Sequence, residues 1–230
     1  MRRIGLIGGM SFEASAVYYR LINEAVRQRL GGLHSAELLL HSVDFQRIVE
    51  LQQAGHWTDA GSLLAQAARG LEGAGADCVL ICANTMHLVA DAVESAISVP
   101  LIHIIDETAH RLLAAGCRKP LLLATRYTME HGFYAERMRR HDVALSVPSA
   151  EGRTLTHDII FKELCAGQVR APSRDVLLRL IDEARAEGAD AVILGCTELC
   201  LTLDPAGLPL PAFDSTAIHA TAAVDFALAA

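Results

Sequence analysis

Short apolar runs alternate along the chain with longer segments of helical period. Arg3 to Ile7 reads as a first strand, followed by the turn Gly8-Gly9-Met10-Ser11 and a helix from about Phe12 to Leu30 that carries Val17, Leu21, Ile22 and Val26 on one face. Leu38 to Val43 reads as a second strand ending at Asp44-Phe45, and a turn with Gly55, His56 and Trp57 precedes a helix from about Thr58 to Ala74. A third strand leads into Asn84-Thr85 and a helix through Ser95; Pro100 opens a fourth, Leu101 to Ile105, ending at Asp106-Glu107-Thr108. The pattern then restarts. Leu121 to Ala124 is a strand, Thr125-Arg126-Tyr127-Thr128 a turn, and about Met129 to His141 a helix. A short strand near Val143 to Val147, helices around Ile159 to Cys165 and Ser173 to Glu187, and a strand from Ala191 to Leu194 complete the series. Regular alternation of strand and helix predicts parallel sheets built from βαβ units.

Two stretches are near copies. Gly75-Ala-Asp-Cys-Val-Leu-Ile-Cys-Ala-Asn-Thr-Met86 matches Gly188-Ala-Asp-Ala-Val-Ile-Leu-Gly-Cys-Thr-Glu-Leu199, and aligning their Gly-Ala-Asp starts sets Ala83 opposite Cys196 and Asn84 opposite Thr197. Tyr134 falls where Tyr18 falls in the first half, and Asp214-Ser-Thr-Ala217 echoes Asp106-Glu-Thr-Ala109. A repeat this long predicts two similar halves facing one another rather than a solenoid, with both strand-three turns at a cleft. Open α/β sheets place their chemistry at such carboxyl-terminal strand ends.

Composition narrows the chemistry. At 230 residues with 52% hydrophobic and 20% charged residues, the chain reads as a folded soluble protein with a sizeable core. No apolar run is long enough to span a bilayer, and glycines with Ser11 and Glu13 interrupt the first apolar segment too early for a signal peptide, so a cytoplasmic location is expected. A net charge of −7 and few aromatics argue against nucleic-acid binding. Six cysteines without close CxxC pairing read as thiols; buried packing suits Cys78, Cys117 and Cys165. No HxxxH or HExxH pattern supports a metal site among the histidines. With Lys119 and Lys162 the only lysines, a pyridoxal Schiff base has no obvious anchor, so no cofactor is expected.

The turn Gly8 to Ser11 is neither the dinucleotide pattern nor a P-loop. It brings strand and helix close, and its free amides offer a place for a small carboxylate. Cys196, at a strand end before a helix, is expected to have its thiolate stabilised by helix amides. Two acid/base groups across a cleft suit removal of a proton from one face of a carbon and its return on the other.

The stretches Ile4-Gly-Leu-Ile-Gly-Gly-Met-Ser11, Asn84-Thr-Met-His87 and Gly195-Cys-Thr-Glu198 together resemble the aspartate/glutamate racemase superfamily, over essentially the whole chain. Gly31-Gly-Leu-His-Ser-Ala36, Ser42-Val-Asp-Phe45 and Thr125-Arg-Tyr-Thr-Met129 look closest to its broad-specificity amino-acid racemase branch. The resemblance implies two pseudo-symmetric, Rossmann-like α/β domains with the active site in the cleft between them. It places one domain at 1–100 with 212–230 and the other at 101–211. It also implies a homodimer, and a free amino acid as substrate.

The resemblance further implies a catalytic cysteine from each half, of which Cys196 is one. The other position holds Ala83. Cys82 is adjacent, but alternation along a strand should point it away from the cleft. Either the first base is dispensable, or water or His87 replaces it. Gly9, Met10, Ser11, Asn84, Thr85 and Thr197 are implied to hold the substrate carboxylate, with Thr125, Tyr127, Thr128 and Glu198 also in the site. Cys165 stands near where aspartate-specific relatives carry a basic residue, so preference for acidic substrates should be relaxed. Gln52 could bond a neutral polar side chain or be a solvated surface residue; Arg126 and Arg47 are further candidates for an acidic side chain. Two alternatives stand beside a racemase: a one-base decarboxylase of the arylmalonate type, which keeps only the second cysteine, and an amino-acid-binding protein without turnover.

Overall fold

The computed structural model describes residues 1–229. In chain order it contains β1 (Ile4–Gly8), α1 (Phe12–Leu30), β2 (Leu38–Ser42), α2 (Phe45–Gln53), α3 (Trp57–Gly73), β3 (Cys78–Ile81), a 3₁₀ turn (Thr85–Val89), α4 (Ala90–Glu94) and α5 (Ile104–Ala114). There follow β4 (Pro120–Leu123), α6 (Arg126–Glu130), α7 (Phe133–Arg139), α8 (Ala150–Asp158), α9 (Ala171–Ala186), β5 (Ala191–Leu194), a 3₁₀ turn (Thr197–Leu201), β6 (Ala212–Asp214) and α10 (Ser215–Leu228).

The strands form two parallel three-stranded sheets, ordered β2-β1-β3 and β4-β5-β6. Two compact units contain them, Met1–Ile104 with the C-terminal segment from His219, and Ile105–Ile218. The boundaries expected after residues 100 and 211 therefore move. Leu101 still bridges Val79 of β3, which keeps it with the first sheet, and β6 pairs with β5, which keeps 212–218 with the second.

In the first unit the strands alternate their side chains between two cores. Ile7, Val79 and Ile81 pack with α2, α3 and α4, whereas Ile4, Leu6, Cys78 and Leu80 pack with α1 and α10. In the second, Leu121, Leu123, Val192 and Leu194 pack with α9 and with Ile159, Ile160 and Leu164.

The Gly-Ala-Asp repeat has a structural cause. Gly75 and Gly188 lie at φ +91° and +97°, just after α3 and α9, where the left-handed backbone lets each helix stop. Two residues on, Asp77 accepts the Arg3 amide at 2.6 Å, and Asp190 accepts the Arg118 and Lys119 amides at 2.7 and 2.9 Å. Each aspartate thus ties the start of its own strand to the start of the neighbouring one. Tyr18 and Tyr134 are likewise both buried.

Several expected elements differ, among them the helix expected around Ile159 to Cys165, which is a π-helical segment (Ile159–Glu163) followed by a 3₁₀ turn (Leu164–Ala166). The strand expected at Leu101 to Ile105 is a single bridge, with Val79 N donating to Pro100 O and Ile102 N donating to Val79 O, before α5 begins at Ile104. Asp106 and Glu107 sit in the first turn of that helix, where its dipole favours carboxylates, and a short apolar run does not by itself distinguish strand from buried helix. The strand expected at Val143 to Val147 is likewise one bridge, Leu121 to Ser146. The helix expected from Met129 to His141 is divided by Gly132 at φ +76° into α6 and α7. An additional helix, α2, is capped by Asp44, which accepts the Gln46 amide at 3.2 Å.

Candidate active site

The candidate residues of the first unit lie at the carboxyl ends of β1 and β3. Gly9 has φ +87°, and a Cβ there would fall 2.2 Å from the Val43 carbonyl oxygen, so the close approach of the two backbones requires glycine. Its amide donates to Ser15 Oγ at 2.8 Å. The Ser15 hydroxyl donates to the Ser11 carbonyl at 3.0 Å, and Ser11 Oγ caps α1 by accepting the Ala14 amide at 3.3 Å. The expected row of free amides is thus partly consumed: Gly9 shapes the turn and spends its N–H internally. Met10 is buried against the α2–α3 core, and the Met10–Ser11 peptide is cis.

Beyond β3 the strand alternation continues for two residues. Cys82 packs with Cys78 and Leu80 in the core beneath α1 and α10, and burial pushes its thiol far up from the usual range. Ala83 packs on the opposite face, against the α2–α3 core. Asn84 is buried and Thr85 half-buried at the start of the 3₁₀ turn. Gln52 lies on α2 and is buried rather than solvated, with Nε2 donating to Met86 Sδ at 3.1 Å. Arg47, on the same helix, is exposed.

His87 shares a hydrogen bond between Nδ1 and the Ala83 carbonyl at 2.9 Å, and its Nε2 faces the Ile104 amide at 3.3 Å. A carbonyl can only accept and an amide can only donate, so the proton is on Nδ1 and Nε2 accepts. Both ring nitrogens are bonded to backbone. His87 is a strut that fixes the turn carrying Ala83, which argues against it as a substitute acid.

In the second unit, Cys196 follows β5 on the face shared with Val192 and Leu194. Its thiol donates to Glu198 Oε2 at 2.8 Å, and the Thr197 hydroxyl donates to the same oxygen at 2.7 Å. Burial, followed by the Glu198 carboxylate, holds the thiol well above its usual range; a backbone contact at Glu198 opposes this and is outweighed. The expectation of an amide-stabilised thiolate is corrected accordingly. Only a five-residue 3₁₀ turn follows Cys196, and a carboxylate occupies its first turn. The resting group is a thiol already bonded to a proton acceptor.

Cys165 lies near enough to Cys196 to act on it electrostatically. It is exposed at the end of a 3₁₀ turn, not a packing cysteine, because the helix from Ala150 loosens there through Ile159–Glu163 before Gly167 turns the chain at φ +71°. Thr125 and the buried Thr128 share a hydroxyl–hydroxyl hydrogen bond at 3.1 Å across the start of α6. Tyr127 is half-buried with its ring 5.6 Å from that of His131. Arg126 is exposed, its amide donating to His157 Nδ1 at 3.3 Å.

Comparison with known proteins identifies the lineage. The family model described as Asp/Glu/Hydantoin racemase matches residues 7–223. The chain belongs to the Asp/Glu/hydantoin racemase family. A solved structure of a candidate Asp/Glu racemase from Yersinia pestis is 46% identical with a TM-score of 0.95, covering 100% of both chains. An aspartate racemase homologue from Pyrococcus horikoshii OT3 is 34% identical with a TM-score of 0.88, covering 99% of each chain. Among curated proteins, the broad specificity amino-acid racemase RacX of Bacillus subtilis (strain 168) is 25% identical over 166 residues, 69% of this chain and 68% of the relative.

Sequence reasoning missed several supports of the candidate site. Ser15, which holds the Gly9 amide, had only its place four residues after Ser11 as a signal. The Tyr18 hydroxyl lies 2.8 Å from His219 Nδ1, and His219 Nε2 lies 2.7 Å from the Ile102 carbonyl, which takes the Nε2 proton and leaves Nδ1 to accept from Tyr18. The His219 ring lies 5.7 Å from that of His87, and the His103 ring 4.5 Å from His87. These residues are distant in sequence, and no local spacing connects them.

Proposed function

We propose that the chain is a cofactor-independent racemase of free amino acids in which Cys196 exchanges the α-proton on one face, and in which Ala83 makes inversion slower than exchange. The observation that carries this reading is the Cys196 Sγ to Glu198 Oε2 hydrogen bond of 2.8 Å at the end of β5. Passing the thiol proton to Glu198 creates a thiolate and a carboxylic acid without changing the net charge of the pair. The thiolate then takes the α-proton, leaving a carbanion on the substrate, and the re-formed thiol returns a proton to that carbon. The Thr197 hydroxyl on the same oxygen orients the carboxylate. The amides of Met10 and Ser11, with Asn84 and Thr85, are assigned to the substrate carboxylate.

On the first unit, no thiol takes the place that Cys196 holds in the repeat. Ala83 carries no proton, Cys82 packs in the opposite core, and both His87 nitrogens are bonded to backbone. Water is the remaining donor for the other face. Relaxed side-chain preference is supported by Cys165 standing near Cys196 where a basic residue would clamp an acidic side chain. Independence from a Schiff-base cofactor is supported by the position of Lys162, exposed and paired with Asp158 at 2.8 Å.

The test follows both enantiomers of several amino acids in heavy water by α-deuteration and by optical rotation. Deuteration that outruns inversion is expected, and Cys196→Ala should abolish it. Full racemisation by Cys196→Ala would remove the assignment. Carbon dioxide release from a malonate without amino-acid exchange would establish the decarboxylase instead, and binding without exchange a sensor.

A further inference from the structure

Two thiols come together beyond the end of β5, and the α-proton chemistry uses only one of them. The helix that begins at Ala150 widens to π-helical winding over Ile159–Glu163, tightens to a 3₁₀ turn over Leu164–Ala166 and ends at Gly167 with φ +71°. Within that turn Leu164 is buried and Cys165 is exposed. The chain is tied down on both sides of Cys165. The Gly167 amide donates to the Leu164 carbonyl at 2.9 Å, the Gln168 amide to the Glu163 carbonyl at 2.9 Å, and Ser173 Oγ to Glu163 Oε2 at 2.5 Å. Leu164 shares a core with Leu199, and the turn Leu164–Ala166 lies against the turn Thr197–Leu201 with Cα atoms within 8 Å of one another. Cys196 directly precedes that second turn and packs on the same core. Cys165 is thus held at the surface next to a half-buried Cys196, close enough for the two to act on each other electrostatically. Disulfides join Cα atoms up to about 7 Å apart, and the uneven winding from Ile159 to Ala166 lets Cys165 close the remaining distance.

We propose that Cys165 is an oxidation site for hydrogen peroxide, and that its oxidised sulfur is captured by Cys196 as an intramolecular disulfide. Accessibility sets the order of events. Among the described residues Cys165 is the exposed thiol, whereas Cys78, Cys82 and Cys117 are buried and Cys196 and Cys200 half-buried. Peroxide therefore meets Cys165 first. An S–O bond forms as the peroxide O–O bond breaks, the sulfur is oxidised to a sulfenic acid, and the second peroxide oxygen leaves as water with the thiol proton. Cys196 then supplies the attacking sulfur. Its proton passes to Glu198 Oε2 across the 2.8 Å hydrogen bond, the S–S bond forms and the S–O bond breaks. The hydroxide lost from Cys165 takes the proton from Glu198 and departs as water. Two thiols and one peroxide thus give one disulfide and two waters. Cys200 has no such arrangement, since its thiol donates to Asp214 Oδ2 at 3.5 Å rather than to Glu198. The consequence for turnover rests on the catalytic reading given above: a Cys196 held in a disulfide can neither take up nor return an α-proton. The bridge is then a reversible off state, opened by thiol reductants, and it spares Cys196 the higher sulfur oxides that thiols do not reverse.

The test oxidises the whole chain with dilute hydrogen peroxide, blocks the remaining thiols by alkylation and maps the peptides by mass without reduction. Cleavage after glutamate cuts behind Glu163 and Glu198, so Cys165, Cys196 and Cys200 fall in separate peptides. The expected product is a Cys165–Cys196 peptide pair, lighter by two hydrogens than its reduced halves, in protein whose denatured mass stays that of one 24.7 kDa chain. Dithiothreitol should part the pair. Cys165→Ser should leave Cys196 reduced under the same exposure, whereas Cys196→Ser should leave a sulfenic acid on Cys165 that dimedone traps. In the wild-type chain α-deuteration should vanish as the bridge forms and return with dithiothreitol. No Cys165–Cys196 pair, a bridge to Cys200 in its place, or equal oxidation of Cys196 in Cys165→Ser would each overturn the proposal. A bridge in a chain that deuterates no amino acid would uphold the oxidation site and refute the catalytic reading instead.

Discussion

Cys196 and Glu198 share one proton across 2.8 Å, and the chemistry proposed for the site depends on how it is divided. Burial contributes most to the raised thiol, and the carboxylate contributes next. Glu198→Gln removes the charge and keeps the shape. The thiol of that variant should therefore ionise at lower pH than in the parent, read as a shift of the alkylation-rate profile, while α-proton exchange falls because the acceptor is gone. A profile that does not move would show that burial alone holds the thiol up. The complementary change is Ala83→Cys, which adds a sulfur where the side chain is half-buried against the core that contains Met10 and Met86. A positioned acid/base group contributes about 10²-fold or more, so inversion relative to exchange should rise by that order. Chiral analysis of the product in heavy water reads the ratio, and an unchanged ratio would dismiss the missing thiol as the cause of slow inversion.

The turn after β1 is where strand, loop and helix depend on one residue. Gly9→Ala would combine a positive φ with a Cβ 2.2 Å from the Val43 oxygen and 2.6 Å from the Val43 nitrogen, neither of which can move without parting β1 from β2. Backbone strain of this kind costs about 1–3 kcal/mol before the clash is counted, so the variant should lose at least that much, measured by urea unfolding. An unaltered urea midpoint would show that the turn relaxes. This turn was legible in sequence because a glycine pair between an apolar run and an amphipathic helix has few other readings. The same holds for β3, β5 and α1, whose local periodicity and burial agree. The strand expected after Pro100 was misread because its apolar residues fit a buried helix equally well, and Asp106 and Glu107 act as helix-starting residues. The bond between Cys196 and Glu198 was legible as proximity, but not as a raised thiol, since burial of Cys196 depends on Ile159–Leu164, far away in the chain.

The last helix is held to the first unit through a histidine that must stay neutral. His219 on α10 accepts from Tyr18 of α1 and donates to the Ile102 carbonyl, and burial lowers its pKa from 6.5 to about 4. The unfolded chain takes up a proton near pH 6.5, whereas the folded chain refuses it until about pH 4. Between those values the unfolded state binds more protons. Stability is therefore complete above pH 6.5 and declines as the pH falls toward 4, by at most about 3 kcal/mol for this group. His157, also lowered chiefly by burial, adds a contribution of the same sign. Asp106 acts in a different window. Burial opposes its ionisation, but hydrogen bonds from Arg137 and His141 outweigh it, so its contribution is lost only as the pH falls below 3.8. Urea midpoints measured from pH 7 to pH 4 should fall steadily for the wild-type chain, whereas His219→Gln should begin lower at pH 7 and lose most of the slope. A variant with the full wild-type slope would place the acid sensitivity elsewhere. Tyr18→Phe separates proton from partner: it removes the bond to Nδ1 while leaving the ring buried, so it should lower stability at every pH in this range and keep the slope.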